Sequence, residues 1–257
     1  VETFYGDLLD KESLQKAVED IDTVFHLAAV VDYTAPEDLM FRVNVIGTKN
    51  ILEAFKGDKF IYLSSTAVLG KKIKDLPGDE KTPYNPSNFY GKTKMEAEKL
   101  VKESNGIIIR SPDVLMPKFV EGYDLIFSKL LEGRMSIIGD GKNFIDYIHI
   151  SDLIQALLLV KDRGKKGEIY IVSGKGVRTQ KQCLELASRY LEVEAPTKHT
   201  PALSAKLVSH GSVIKSKLKR KTPEFIPEYV EKMLRNRAFD ISKAKNELGF
   251  EPKVDME

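Results

Sequence analysis

Val24-Phe25-His26-Leu27-Ala28 and Phe60-Ile61-Tyr62-Leu63 are two short apolar runs, separated by a stretch of helical period from about Pro36 to Phe55. A continuous apolar run of four or five residues suits a strand buried on both faces, and proline suits the first turn of the helix between them. A loop rich in Pro, Gly and Asp follows up to Pro86, then a helical period from about Asn88 to Glu103 and a third run, Ile107-Ile108-Ile109. Strand, helix, strand, helix, strand is the pattern of an α/β fold, a doubly wound parallel sheet with helices on both faces.

Past Arg110 the rhythm changes. Asp124 to Glu132 reads as a helix, Met135 to Ile138 as a short strand, and Phe144 to Ile150 as a strand followed by a helix capped by Ser151. Glu168 to Val172 reads as another strand. Helices are then expected over about Gln180–Leu191 behind a Thr179-x-x-Gln182 capping box, Pro201–Lys215, Pro227–Asn236 and Ser242–Leu248, the last stopped by Gly249. Residues 1–113 are expected to form one domain, and 114–257 a smaller, mostly helical lobe interleaved with the last sheet strands at about 144–173.

The 257 residues, 42% hydrophobic and 30% charged, suffice for a large core and exclude a disordered, collagenous or disulfide-framed chain. The 40 Lys and Arg nearly cancel the 38 Asp and Glu, so no global field exists to hold a nucleic acid, and none is expected as a partner. No apolar stretch approaches the roughly 20 residues that span a bilayer, and no membrane partner is expected. The basic run Lys215 to Lys221 reads as a solvated helix face, with a phosphate-binding patch as the alternative. Cys183 stands alone in a helical pattern, which suits packing and a reducing compartment, so the cytoplasm is the default location. The histidines at 26, 149, 199 and 210 lack the spacing of a zinc site, so no metal is expected; His26 reads as a packed strand residue.

Chemistry concentrates at Tyr90-Gly91-Lys92-Thr93-Lys94, where a phenol and an ammonium lie four apart on one face at the start of a helix. A cation a few ångströms from a phenol favours the phenolate, which brings proton exchange with an alcohol or ketone within reach. Ser64-Ser65-Thr66 follows the strand Phe60 to Leu63, at the carboxyl end where doubly wound sheets bind ligands. A hydroxyl there can bond a substrate oxygen as charge develops; an ordinary Ser/Thr turn is the other reading.

These segments resemble the extended short-chain dehydrogenase/reductases, the NAD-dependent epimerase/dehydratase family, from Val1 to Lys253. The match is carried by Gly6-Asp7-Leu8, Val24 to Ala29, Asn44-Val45-Ile46-Gly47-Thr48, Ser64 to Gly70, Tyr90 to Lys94, Asp146-Tyr147-Ile148-His149 and Lys243 to Phe250. Ser65 and Tyr90 are 25 positions apart, as this family favours. The resemblance implies a Rossmann-like sheet and NAD or NADP as cofactor. It makes Tyr90 the general acid/base, has Lys94 hold the nicotinamide ribose and lower the Tyr90 pKa, and has Ser65 bind the reacting oxygen. Asp7 and Leu8 would touch the adenine, Leu27, Ala28 and Ala29 would run along the dinucleotide, and Pro112 would lie beside the nicotinamide. Asn44 stands where the family has a helix asparagine near the site; a polar residue bonding backbone is the alternative. The resemblance also implies a homodimer in which the helices around Pro36–Phe55 and Asn88–Glu103 form a four-helix bundle.

Departures bear on the substrate. Thr66-Ala67 replace the Asp-Glu that dehydratases carry, which argues against sugar dehydration. Ile145 replaces an arginine that holds diphosphate in many nucleotide-sugar epimerases, Asp113 stands where they often have Asn and would repel phosphate, and Val31 replaces a lysine found in some. The expected reaction is hydride transfer at a secondary alcohol or ketone of a small-molecule substrate, leaning to relatives that resemble 3β-hydroxysteroid dehydrogenases and dihydroflavonol reductases. A nucleotide-sugar 4-epimerase, with Arg134 and nearby lysines holding diphosphate, is the alternative. A non-catalytic dinucleotide sensor is the reading from another class. The glycine-rich phosphate loop has no counterpart here, and Val1 to Tyr5 is strand-like. The expectation is that about 50 residues bearing that loop precede Val1, in a natural chain of roughly 310.

Overall fold

The computed structural model describes residues 2–70, 73–116, 123–218 and 225–255. Four parallel strands form the central sheet in the order Thr23–His26, Lys59–Ser65, Ile107–Ser111, Ile169–Ile171. Although the apolar runs are continuous, side chains still alternate between faces. Ile61, Ile107, Ile109 and Tyr170 pack against Leu153, Ala156 and Val160 of the helix Ile150–Arg163 and against Phe250. Phe60, Tyr62 and Ile108 pack on the other face with Ala97 and Val101 of the helix Phe89–Glu103, and with Leu14 and Ile51. Ile107, Ile108 and Ile109 are wholly buried, so truncating one to alanine costs about 2–5 kcal/mol.

The helix Phe89–Glu103 begins where the Asn88 side chain accepts from the Gly91 amide at 2.8 Å. It is locked to the adjoining strand by a buried ion pair, Arg110 Nη2 to Glu98 Oε2 at 2.8 Å, with Tyr84 Oη donating to the same carboxylate at 2.8 Å. The expected helix over Pro36–Phe55 is α-helical at Glu37–Phe41, π-helical at Arg42–Gly47 and α-helical again at Thr48–Ala54. A helix at Lys11–Ala17, capped by Asp10, was not expected.

Glu2 to Tyr5 form no strand, contrary to the reading of Val1–Tyr5; Phe4 and Tyr5 are exposed, and no described strand lies beside them. The run Phe144–Ile150 divides into Phe144–Ile145, antiparallel to Arg178–Thr179, and Tyr147–His149, parallel to Asp113–Leu115. His149, rather than Ser151, caps the next helix, accepting from the Ser151 amide through Nδ1. The capping box at Thr179 and Gln182 is present, and Gly249 ends the last helical segment at φ +72°.

The remaining chain builds a lobe from Tyr123–Leu131, Gln180–Tyr190, Ala202–Leu218 and Pro227–Met233 around Leu130, Ile137, Leu184, Ala205 and Val230. Among the described residues no helix is long and apolar enough to cross a membrane. The basic run Lys215–Lys221 extends past Leu218 into residues outside the described ones.

Candidate functional site

The strand Lys59–Ser65 delivers Ser65 to the carboxyl end of the sheet, opposite Ser111 in register and next to the buried Pro112. Ser65 Oγ accepts from the Ala67 amide at 3.1 Å and caps the 3₁₀ turn Thr66–Leu69. The Ser/Thr-turn reading of Ser65 is present in the structure, with the side chain half-buried.

Tyr90 lies in the first turn of Phe89–Glu103, and that helix start presses on the Ser65 turn. A Cβ at Gly91 would lie 2.7 Å from the Ala67 carbonyl oxygen, so only glycine permits the approach. Lys94, one turn on, is buried; Nζ donates to the Leu63 carbonyl at 2.6 Å and lies 4.1 Å from the Tyr62 ring centroid. Burial pushes the Lys94 ammonium down to about 7, with the Glu98 carboxylate opposing. The Tyr33 ring meets Tyr90 edge-on, with centroids 6.1 Å apart.

Asn44, within the π-helical segment, accepts from the Val30 amide at 2.7 Å and donates to the Val30 carbonyl and to Thr93 Oγ1, each at 3.0 Å. Thr93 in turn donates to the Tyr90 carbonyl at 2.8 Å. Of the two readings of Asn44, the structure has the backbone-bonding one: its amide ties the loop after the first strand to the Tyr90 helix. His26 is packed, with Nε2 2.9 Å from Thr48 Oγ1 and its pKa lowered to about 4, chiefly by burial and then by Lys94.

Asp7 closes its own turn by accepting from the Leu9 amide at 2.9 Å, and Leu8 lies against the helix at Gly47. Leu27 is 49% exposed, Ala28 is exposed and Ala29 half-buried, so the chain leaving the edge strand forms an apolar shelf at the carboxyl end of the sheet.

Sequence reasoning missed a charged wall arriving from more than a hundred residues away. Asp113 pairs with Lys232 at 3.4 Å and Arg235 at 3.7 Å, and Arg235 Nη2 donates to Tyr33 Oη at 3.3 Å. The expectation that Asp113 repels phosphate is corrected, because two cations offset its charge. Arg237, buried, donates to Thr66 Oγ1 at 3.3 Å; burial and then Arg235 lower its pKa to about 10. Nearby, burial pushes the Asp146 carboxyl up to about 7 against the Ser173 hydroxyl that donates to it. The available signal was the spacing Lys232, Arg235, Arg237 at and just past the end of the helix Pro227–Met233.

Beside this wall lies a cavity of about 410 Å³, lined by Asp113 and Lys232 and by Ile126, Met135, Ile138 and Phe225 among others. A second, almost wholly apolar cavity of about 360 Å³ shares Ile126, Ile145, Tyr147 and Met233 with it. Cys183 lines the second, its thiol pushed up to about 11 by burial, which makes it a packing group.

A family model, "NAD dependent epimerase/dehydratase family", matches residues 1–173. The chain belongs to this family. It is 30% identical to the uncharacterized protein y4nG of Sinorhizobium fredii over 98% of its own length, and spans 65% of that relative. It is 26% identical, over its whole length, to 77% of the mouse sterol-4-alpha-carboxylate 3-dehydrogenase, decarboxylating. The UDP-glucuronic acid 4-epimerase of Bacillus cereus, solved in complex with NAD, shares the fold at TM-score 0.75 and 23% identity over 98% of this chain and 75% of that one. The Rossmann-like architecture is thus common to the family and this chain. The residues fit the dinucleotide that the family name implies. The shelf Leu27 to Ala29 is apolar and unburied at the ligand end of the sheet, and Ser64 Oγ is buried nearby with no partner among the described residues.

Proposed function

We propose that the chain carries out NAD(P)-dependent hydride transfer at a secondary alcohol or ketone, with Tyr90 as general acid/base. The observation that carries this reading is the contact of the Tyr90 helix with the Ser65 turn, closed at Gly91 and underpinned by Lys94 on the Leu63 carbonyl. The bound nicotinamide supplies the hydride acceptor or donor. Tyr90 takes the proton from the carbinol oxygen, or returns it to the carbonyl oxygen, while the Ser65 hydroxyl bonds that same oxygen. Lys94, whose Nζ donates to the Leu63 carbonyl beneath the site, would hold the nicotinamide ribose. Leu27, Ala28 and Ala29 would hold the dinucleotide along its length, with Asp7 and Leu8 toward the adenine and Pro112 toward the nicotinamide. Asn44 positions rather than touches: it fixes the Val30 loop to the Tyr90 helix.

The substrate class is a bulky, mostly apolar alcohol or ketone, as in sterol-type dehydrogenases. The apolar walls of the cavity next to Asp113 support this. The second reading, a nucleotide-sugar 4-epimerase, is favoured by Lys129, Arg134 and Lys232 on that cavity's wall. The same reading makes the protein a cytoplasmic homodimer, supported by exposed Leu39 and Ile46 on one side of the 37–54 helix and by its single cysteine. Tyr90→Phe is expected to lower turnover by about 10²–10⁴-fold with cofactor affinity nearly unchanged, read from nicotinamide absorbance with candidate alcohols. Wild-type-like turnover in that variant refutes the assignment. Cofactor binding without redox change under every substrate favours a sensor.

A further inference from the structure

The helix Ala202–Leu218 is built inside out. Its inward face carries small side chains: Ala205 and Ser209 are buried, and Ser212 and Ser216 are half-buried. Its large apolar residues point away, with Leu203 70%, Leu207 67%, Val208 63%, Ile214 61% and Leu218 82% exposed. Leu203, Leu207, Ile214 and Leu218 fall within about 60° of one another around the axis, a single stripe. A solvent-facing helix of a globular domain has the opposite pattern, so this stripe calls for an apolar cover.

Charge indicates the cover. From Ala195 to Pro223 the sequence has seven Lys and Arg and no acidic residue, while the rest of the chain has 33 cations against 38 acids. The chain's slight positive excess therefore comes entirely from the stretch that contains this helix. Lys206 faces inward to Glu231 at 2.6 Å and anchors the helix, whereas Lys215 and His210 are exposed along it. An exposed apolar stripe within an acid-free, basic stretch matches the interface of a bilayer bearing anionic headgroups: side chains enter the acyl boundary and lysines meet the phosphates.

The cavity gives the position a purpose. Ala205, Val208 and Ser212 line the 410 Å³ cavity from this same helix, and Val208 is itself 63% exposed, so the cavity reaches the surface on this helix. We propose that the helix Ala202–Leu218 is an interfacial helix that docks the protein on an anionic membrane surface, with the mouth of the cavity toward the lipid. This departs from the expectation of no membrane partner, which rested on the lack of a spanning segment. That lack does not bear on a helix lying in the interface plane. The inference does not depend on the hydride-transfer reading, because its readout is lipid binding.

Flotation of the full chain with vesicles tests it. The protein is expected to float with vesicles of phosphatidylcholine mixed with phosphatidylglycerol, much less with phosphatidylcholine alone, and to be released by salt. Combining Leu203→Ser, Leu207→Ser, Ile214→Ser and Leu218→Ser is expected to cut partitioning at least about tenfold. Thermal melting should be unchanged, because all four side chains are exposed. Should that variant not fold, Lys215→Glu keeps the stripe and is expected to weaken anionic binding by about fivefold or more. Absence of flotation overturns the proposal, as does equal binding to both vesicles or an unchanged stripe variant. A parent that is dimeric through this face, shown by a stripe variant turning monomeric in light scattering without any vesicle binding, assigns the face to a second copy and likewise overturns it.

Discussion

The helices Phe89–Glu103 and Ala202–Leu218 both invert the usual partition of side chains, in opposite senses. The first buries charge: Lys94 and Glu98 are almost wholly enclosed, and each has a partner within the protein, the Leu63 carbonyl and Arg110. The second buries serine and exposes leucine. Buried charge is tolerated only where it is paired and hydrogen-bonded, so the first inversion is resolved inside the fold and fixes the geometry around Tyr90. Among the described residues nothing covers the exposed apolar stripe, and the proposed membrane contact rests on that exposure. One exception to the hydrophobic rule thus organises a site, and the other marks a surface.

The internal pairing of the first helix is most exposed to disruption at Glu98. Glu98→Ala leaves Arg110 buried without its carboxylate and is expected to cost about 3–5 kcal/mol in urea unfolding. A loss within the range of a surface substitution would show that the first helix does not depend on its internal pair.

A smaller, pH-dependent effect belongs to Lys94. Its folded pKa is lowered to about 7 from an ordinary 10.5, so between those pH values the unfolded chain binds more protons than the folded one. Stability contributed by this group rises with pH from about 7 towards 10.5, and the cost of burying the charge is fully present below 7. Lys94→Met is expected to flatten that rise in melting temperature against pH. An unaltered profile contradicts the burial of the charge.

Ser209→Leu sharpens the contrast on the other helix. It forces a large group into a close-packed contact and is expected to cost about 1–3 kcal/mol, although it makes the helix more apolar. Leu207→Ser, on the exposed stripe, is expected to change unfolding free energy by less than about 0.5 kcal/mol. A larger loss would show that the stripe is covered by the protein itself.

Much of the α/β half was legible. The runs at 24–28, 60–63 and 107–109 mark three adjacent strands, because a doubly covered parallel sheet demands continuous apolar segments. The Ser65 and Tyr90 segments were legible as a pair through their order and spacing. Asp113 was misread because its charge was judged alone; Lys232 and Arg235, which neutralise it, are distant in sequence. The strand at Val1–Tyr5 failed because a run of β-formers needs a ladder partner, and no described strand lies beside it. Composition also does not reveal that the large apolar residues of the helix Ala202–Leu218 point outward.

By itself, the sequence determined the adjacent strands at 24–28, 60–63 and 107–109 and the helix before the third, that the sheet is parallel, and which residue types end at its carboxyl edge. Those properties follow from local periodicity and turn chemistry, which act over a few residues. The tertiary structure decided that Asn44 bonds backbone, that Asp113 is neutralised, that a cavity adjoins the charged wall, and which face of Ala202–Leu218 meets the outside. Each depends on groups brought together across large sequence separations, where distance and burial, rather than spacing, set the energy.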